Sequence, residues 1–306
     1  MTELDHEVQP STDGETRPTP LLEGGPLPVS RSNLGTRPAA AEAPGGAEPA
    51  ARRYVYALGR IEPRFPTLAA EKEFAQVAGR ADTVGLTDRQ AIHEVLSQPQ
   101  NRYLVREMCW VFTVEGLETY ILQPRDLHDL QLLVDAVRPA PRATDIDIVI
   151  GTLGPIAPPG LCNSLMVPVV IFDQIYSFDI DSLIKSIPRP SGIPAKEFTA
   201  VADEVFSRVV QLADNAGATD EHRALNYLAV RYPAIYHMAA DRLAVDTALS
   251  SVEVQPSRLS NTRQIVDVIL TYTNRQTDVA EKYLVRVDVT EEWPFLVTKQ
   301  TPYFDR

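Results

Sequence analysis

Cysteine is scarce in this sequence, and the two cysteines present follow no recognisable pairing or ligand pattern. Cys109 and Cys162 are the only cysteines in 306 residues, and they form neither a CxxC motif nor a metal-ligand spacing. This pattern argues against a disulfide scaffold and against a structural zinc site. Both cysteines lie in apolar or Pro/Gly-rich surroundings, so we interpret them as buried thiols in a reducing compartment.

Long apolar runs and basic segments are also missing. No uninterrupted apolar stretch approaches the roughly 18 residues of a membrane-spanning helix, and the N-terminal "MTELDHEVQP" is acidic where a signal peptide is basic. The formal net charge of -12 disfavours a phosphate backbone or an anionic membrane surface. We therefore expect a cytoplasmic protein that binds neither nucleic acid nor membranes.

Aromatic residues are absent from the first 52 positions, which are rich in Pro, Gly and Ala. Such a composition buries too little apolar area to offset the entropy lost on ordering. We predict that residues 1–52 form a disordered tail. A segment of it, "RPTPLLEGGPLP", has the composition of a polyproline-type ligand, although most such tails are plain tethers.

Order is predicted to begin at "YVYALGRI", which is typical of a strand. Helical spacing follows over residues 68–79, where Gly79 suits a left-handed C-cap, and Thr87 with Gln90 predicts a capping box for a second helix. Residues 107–124 predict a hairpin that turns at Glu115 and Gly116. Another helix is predicted over 126–137 and two or three strands over 143–180.

Three prolines divide the ordered region at "SIPRPSGIPAK", residues 186–196. We predict an N-terminal half at 53–190 and a C-terminal half at 191–306, the latter with helices followed by a β-meander. The elements do not alternate as regular βαβ units. This order favours an α+β fold, with mixed and mainly antiparallel sheet regions packed against helices.

Motifs of common enzyme classes are missing. The sequence has no GxxxxGK[ST], no strand-linked GxGxxG and no GxSxG, and "HEVLS" places Ser97 where a zincin needs its second histidine. Cys162 lies in a loop without an adjacent base. We assign no catalytic residues, no metal ligands and no cofactor, and we consider an enzyme improbable but not excluded.

Several stretches together resemble a known family. They are "YVYALGRIEPRF", the hairpin "WVFTVEGLETYILQP", "VPVVIFDQIYSFDI", and the C-terminal series "AADRLAVD", "SSVEVQPSRLS", "VDVILTYTNR" and "YLVRVDVTEEWPFLV". Over residues 53 to 306 the chain resembles the C-terminal domain of the cyanobactin maturation proteins PatG and PatA. Those proteins carry subtilisin-like protease domains that process ribosomally made precursor peptides, whereas their shared C-terminal domain has no known function.

The chain departs from the full-length pattern because the signature blocks of a subtilisin-like triad are missing. The resemblance therefore transfers no protease role to any residue. It implies an accessory domain that contacts a precursor peptide, or a modifying or processing enzyme, in ribosomal peptide biosynthesis.

The stretch "YPAIYHMAADRLAVD" and the helix before it supply the candidate site. Together they carry several tyrosines and arginines, whose side chains can hold a peptide by stacking and by bidentate hydrogen bonds. His237 and Asp241 are four residues apart and could share a proton or bind a metal, but a third ligand would have to come from His222, Glu221 or Asp246. The candidate peptide-binding residues are Tyr227, Arg231, Tyr232, Tyr236, His237, Asp241 and Arg242.

Three functions remain open on the sequence alone. The first is a non-catalytic accessory domain that binds a precursor peptide, a partner enzyme or a second copy of itself. The second is an unrecognised enzyme that uses Tyr236, His237 and Asp241. The third is a structural dimerisation scaffold. If the chain is a non-catalytic accessory domain, we expect the helix of "YPAIYHMAADRLAVD" mainly to build the junction between helical and sheet layers.

Overall fold

The computed structural model describes residues 53–79, 85–210 and 214–304. The predicted disordered tail, residues 1–52, lies outside these residues. The strands are β1 (Tyr54–Arg64), β2 (Cys109–Val114), β3 (Leu117–Pro124), β4 (Asp145–Ile156), β5 (Pro168–Asp179), β6 (Thr247–Pro256), β7 (Ile265–Asn274), β8 (Ala280–Asp288) and β9 (Phe295–Tyr303). The helices are α1 (Leu68–Ala78), α2 (Asp88–Leu96), α3 (Arg102–Glu107), α4 (Leu130–Ala136), α5 (Ile180–Ser186), α6 (Ala195–Val210), α7 (Asp220–Arg231) and α8 (Ala234–Leu243). The predicted α+β class is confirmed.

The first five strands form a closed barrel in the order β1-β2-β3-β5-β4. β1 closes the barrel by pairing with β4, as in Tyr56 opposite Ile150, and only the β3–β5 pair within the barrel is parallel. Glycine is required at Gly59, where a Cβ would collide with the carbonyl oxygen of Thr113. Alternate strand residues fill the interior with Val, Leu and aromatic side chains, which form one continuous apolar core with α2, α3 and α4.

The last four strands form an antiparallel sheet in the order β6-β7-β8-β9. One face of this sheet packs on the helices, because Val268, Leu270 and Val285 share an apolar core with Leu228 and Tyr236. The outward side chains of β1 and β4 enter the same core. The meander packed on the preceding helices, as predicted from the sequence, is therefore confirmed, and α5–α8 lie against both the barrel and the sheet.

Local signals in the sequence give mixed results. The capping box of Thr87 and Gln90 is present at α2, and Glu115 and Gly116 form the predicted turn with positive φ values of 51° and 81°. The prediction for Gly79 is wrong, since its φ of -67° is right-handed and its N–H continues the helical bonding to the carbonyl of Ala75. The predicted linker at 186–196 joins α5 to α6, and the division into two halves there stays a prediction.

The interpretation of the cysteines as free thiols is wrong. Cys109 in β2 and Cys162 in the β4–β5 connection form a disulfide with a Cα–Cα distance of 5.6 Å. Val111, Ile121 and Val169 surround it in a small apolar cluster, and they belong to the neighbouring strands β2, β3 and β5. The pairing depends on this strand order, which brings together residues 53 positions apart in the chain.

No helix among residues 53–79, 85–210 and 214–304 combines the length and apolar character needed to cross a membrane.

Candidate functional site

Tyr227 and Tyr232, the first two tyrosines of the predicted site, face the edge strand β9. Tyr227 lies on α7, which is capped at its start by Thr219, whose hydroxyl accepts a hydrogen bond from the N–H of His222 at 3.2 Å. The hydroxyl of Tyr232, just after α7, accepts a hydrogen bond from the backbone N–H of Gln300 at 3.0 Å. Burial raises the pKa of Tyr227, and the backbone N–H of Leu296 opposes that rise. These two tyrosines therefore occupy backbone groups of β9.

Tyr236 belongs to the core. Its side chain is 1% exposed, and its hydroxyl donates a hydrogen bond to the carbonyl oxygen of Ala229. Burial also raises its pKa. The hydroxyl is thus enclosed and already bonded, which suits a packing role at the joint between α7 and α8.

His237 and Asp241 do not contact each other through a hydrogen bond or ion pair in the described part of the chain. The His237 ring lies beside Phe198 of α6 with 6.5 Å between ring centroids, and its Nε2 is buried without a hydrogen-bond partner. Asp241 is exposed. The spacing of four residues places both on one helix, but it brings no shared proton or ligand pair together.

The two arginines of the predicted site diverge. Arg242 forms an ion pair with Glu281 of β8 at 2.7 Å, donates to the hydroxyl of Tyr283, and lies 5.0 Å from the centroid of that ring. Arg231 is exposed at the end of α7. Of the seven predicted residues, the structure thus leaves Arg231 and Asp241 exposed and directs the others at least partly into contacts with the fold.

A second cluster centres on the carboxyl groups of Asp173 and Glu292. No pattern in the sequence predicts it. The guanidinium of Arg125 pairs with both carboxylate oxygens of Asp173, with 2.7 Å between Nη2 and Oδ2. The same Nη2 donates to the hydroxyl of Thr152 at 3.0 Å. Hydrogen bonding from Arg125 holds the pKa of Asp173 below its ordinary value.

Glu292 keeps a proton to an unusually high pH. Burial raises its pKa to about 7, and a hydrogen bond to the Asp173 carboxylate contributes further. The Oε1 atom of Glu292 is buried and has no hydrogen-bond partner among the described residues. A protonated carboxyl donating to an arginine-bound carboxylate explains why the two pKa values move in opposite directions.

Arg223 fastens the same β8–β9 connection to the barrel. Its Nη1 donates to the carbonyl oxygen of Val289 at 2.6 Å, and its Nη2 donates to that of Glu291. Its guanidinium lies 5.4 Å from the ring centroid of Tyr54 in β1. Burial lowers the pKa of Arg223. The cluster can hold a proton near neutral pH, and it joins the sheet's loop to the barrel.

The spacing of these residues gave no signal, because they come from β1, β4, β5, α7 and the segments after β3 and β8. Only the folded chain brings them together. In the described residues there is no group of three or more His, Cys, Asp or Glu side chains that could hold a metal ion.

Comparisons with known proteins agree with the family resemblance. Residues 193–303 match the model of a family described as PatG C-terminal. A solved structure described as "PatG Domain of Unknown Function" superimposes with a TM-score of 0.66 at 20% sequence identity, covering 82% of this chain and 98% of that one. No match was found among curated proteins. The resemblance to the PatG C-terminal domain is thus confirmed, by the family model over residues 193–303 and by the fold over most of the chain.

Proposed function

We propose that this chain is a non-catalytic accessory domain that binds a precursor peptide during ribosomal peptide maturation. The observation that supports it best is the match to the PatG C-terminal family, together with a shared fold that spans nearly all of the solved PatG domain. The resemblance implies that the partners of the domain are precursor peptides and the enzymes that act on them. A partner enzyme and a second copy of this chain are the alternative binding partners in this proposal.

The exposed part of the predicted peptide site is the end of α7 and the outer side of α8. Arg231 and Asp241 are exposed there, and Tyr227 and Tyr232 are half-buried beside β9. These exposed charges are suited to binding a peptide through its charged groups, with the tyrosine rings as apolar contacts.

A catalytic use of Tyr236, His237 and Asp241 is not proposed. The Tyr236 hydroxyl is bonded to the Ala229 carbonyl, and the His237 ring faces Phe198. We propose the cytoplasm as the location. The Cys109–Cys162 disulfide does not support this part of the proposal, because disulfides are rare in a reducing compartment.

Isothermal titration of the full chain with short peptides encoded beside its gene tests the proposal. Saturable binding of a precursor peptide is the expected result, and Arg231→Gln with Asp241→Asn then tests the α7–α8 surface. Pull-down with the neighbouring enzymes and sedimentation of the chain alone test the other two partners. A chain that binds no such peptide, captures none of those enzymes and remains monomeric would refute the proposal.

A further inference from the structure

Two neighbouring cavities flank the side chain of Arg102 on the helical side of the barrel. The first has a volume of about 170 Å³ and is lined by Arg102, Arg106, Leu127 and His128. The second has a volume of about 150 Å³ and is lined by both polar and apolar residues, Ser97, Gln98 and Gln131 among the polar ones. Its apolar lining residues are Leu96, Pro99, Val105, Leu130 and Val134. We call the two cavities together the Arg102 groove.

The basic end of this groove carries two guanidinium groups without a carboxylate partner. Arg102 and Arg106 are four residues apart in α3, so both side chains lie on one helix face, where like charges repel. Arg102 donates only to the uncharged carbonyl oxygens of Leu127 and His128, at 3.2 and 3.4 Å. Arg106 has no hydrogen-bond or ion-pair partner in the described part of the chain.

The carboxylate of Asp126, which lies next to this end of the groove, is bonded to His128. Asp126 accepts hydrogen bonds from the backbone N–H of His128 at 2.9 Å and contacts its Nδ1 at 2.7 Å. The hydrogen bonds of the Asp126 carboxylate are therefore made within its own turn, to His128. Among the described residues, neither arginine pairs with a carboxylate, although the formal net charge of the chain is -12.

Apolar side chains add a second kind of contact. Leu127 lines the basic cavity and is 54% exposed. An exposed leucine beside two guanidinium groups that pair with no carboxylate of the described residues fits a ligand that presents a carboxylate and an apolar side chain close together. Phosphate groups alone would leave the apolar walls uncovered.

We propose that the Arg102 groove binds a peptide segment in which acidic residues alternate with bulky apolar ones. Arg102 and Arg106 hold a carboxylate of the segment, and the walls of the second cavity take an adjacent apolar side chain. This inference rests on the proposed peptide-binding function and assigns it a site and a class of ligand. It adds α3 and α4 to the α7–α8 surface as a place where such a peptide is contacted.

Fluorescence anisotropy with a defined probe tests the groove independently of any natural ligand. The probe is a short, terminally blocked, labelled peptide of leucine and glutamate, and its twin carries glutamine in place of glutamate. The full chain is expected to bind the acidic probe, to bind it less tightly as salt rises, and to bind the glutamine twin at least about tenfold more weakly.

A matched variant controls for the loss of an exposed arginine elsewhere on the surface. Arg106→Gln is expected to weaken binding of the acidic probe by about tenfold, whereas Arg258→Gln, in the connection between β6 and β7, leaves it unchanged. Both arginines are exposed, so both variants should keep the parent's thermal unfolding midpoint. A probe that does not bind, or that binds Arg106→Gln as tightly as the parent, overturns the groove.

The precursor peptide then distinguishes this inference from the proposed function. Binding that weakens in Arg106→Gln and persists in Arg231→Gln supports both. Binding that Arg231→Gln abolishes and Arg106→Gln leaves intact overturns the groove and keeps the proposed function. If no precursor peptide binds, the proposed function fails in its main form, and the acidic probe alone decides whether the groove binds such segments.

Discussion

Glu292 shows how one side chain in this fold responds to pH. Its pKa is raised from 4.5 to about 7, first by burial and then by the hydrogen bond to Asp173. Between these values the folded chain keeps the proton that the unfolded chain has released, so stability falls as pH rises through this window. Asp173 acts oppositely, because its lowered pKa adds stability that is lost only as the pH falls below its ordinary value of 3.8.

The variant Glu292→Gln should flatten the pH dependence of stability between about pH 4.5 and 7. Glutamine keeps a donor for the Asp173 carboxylate but cannot titrate. The lost dependence should amount to about 1 kcal/mol or less, since Glu292 is only partly buried and solvent screens the interaction. Urea unfolding across this pH range measures it, with Glu291→Gln as the adjacent control that keeps the parent profile. An unchanged profile in Glu292→Gln would show that another group dominates.

At the scale of single elements, the edge strand β9 is held by groups outside the sheet. Gln300 donates its backbone N–H to the hydroxyl of Tyr232. A helix-end side chain thus blocks a position at which another strand could pair, which is a common protection for an exposed edge. The aromatic stretch that suggested a peptide site therefore also serves the sheet.

Tyr232→Phe should expose this edge locally. Loss of the hydroxyl leaves the Gln300 N–H without its acceptor and should cost about 1 kcal/mol. Faster amide hydrogen exchange at Gln300 is the expected sign. Tyr303→Phe, in the same strand, is the control and should leave that amide unchanged. Equal exchange in the two variants would mean that Tyr232 does not protect β9.

The Cys109–Cys162 disulfide fixes the β4–β5 connection to β2. Closing a loop of this length restricts the unfolded chain and is worth about 2–4 kcal/mol. Dithiothreitol should therefore lower the urea midpoint of the parent, while the double variant Cys109→Ser and Cys162→Ser should be less stable and insensitive to the reductant. A parent whose midpoint does not respond to dithiothreitol would contradict a stabilising disulfide.

At the scale of the whole molecule, the helices tie the barrel to the C-terminal sheet. Asn226 of α7 donates to the carbonyl oxygen of Tyr56 in β1 at 2.8 Å and exchanges hydrogen bonds with Asn215. The N–H of Tyr56 donates to the carbonyl oxygen of Gly217 at 2.9 Å. All of these side-chain groups are buried, so each bond lost leaves unpaired polar atoms behind.

Asn226→Ala should destabilise the whole fold by about 2–3 kcal/mol, because it leaves the Tyr56 carbonyl oxygen and the Asn215 Oδ1 without a donor. In a Trp293→Phe background, fluorescence of the buried Trp110 reports the barrel and far-ultraviolet circular dichroism reports the helices. The two urea transitions should shift together to lower midpoints. Separate transitions would indicate that barrel and helices unfold independently.

Much of this fold follows from local patterns, and most of the rest depends on distant contacts. The turn at Glu115 and Gly116, the capping box at Thr87 and the first three strands of the meander can be predicted because neighbouring residues determine them. The parallel β3–β5 pair, the disulfide and the Asp173–Glu292 pair cannot, since each joins residues far apart in the sequence.

The candidate site shows the same limit. Helical spacing correctly places Tyr227, Tyr236 and Asp241 on α7 and α8, yet it does not reveal that Tyr236 lies in the core. Burial depends on which face the barrel and the sheet cover, and that is decided by the whole fold.

Hydrogen-exchange mass spectrometry of the full chain, with and without a saturating precursor peptide, tests the central claim of peptide binding most directly. Binding should slow exchange in a confined surface region, and the Arg102 groove predicts that this region covers α3 and the segment 127–134. Protection confined to α7 and α8 would move the site and retain the function. Exchange that is identical in every segment would contradict peptide binding altogether.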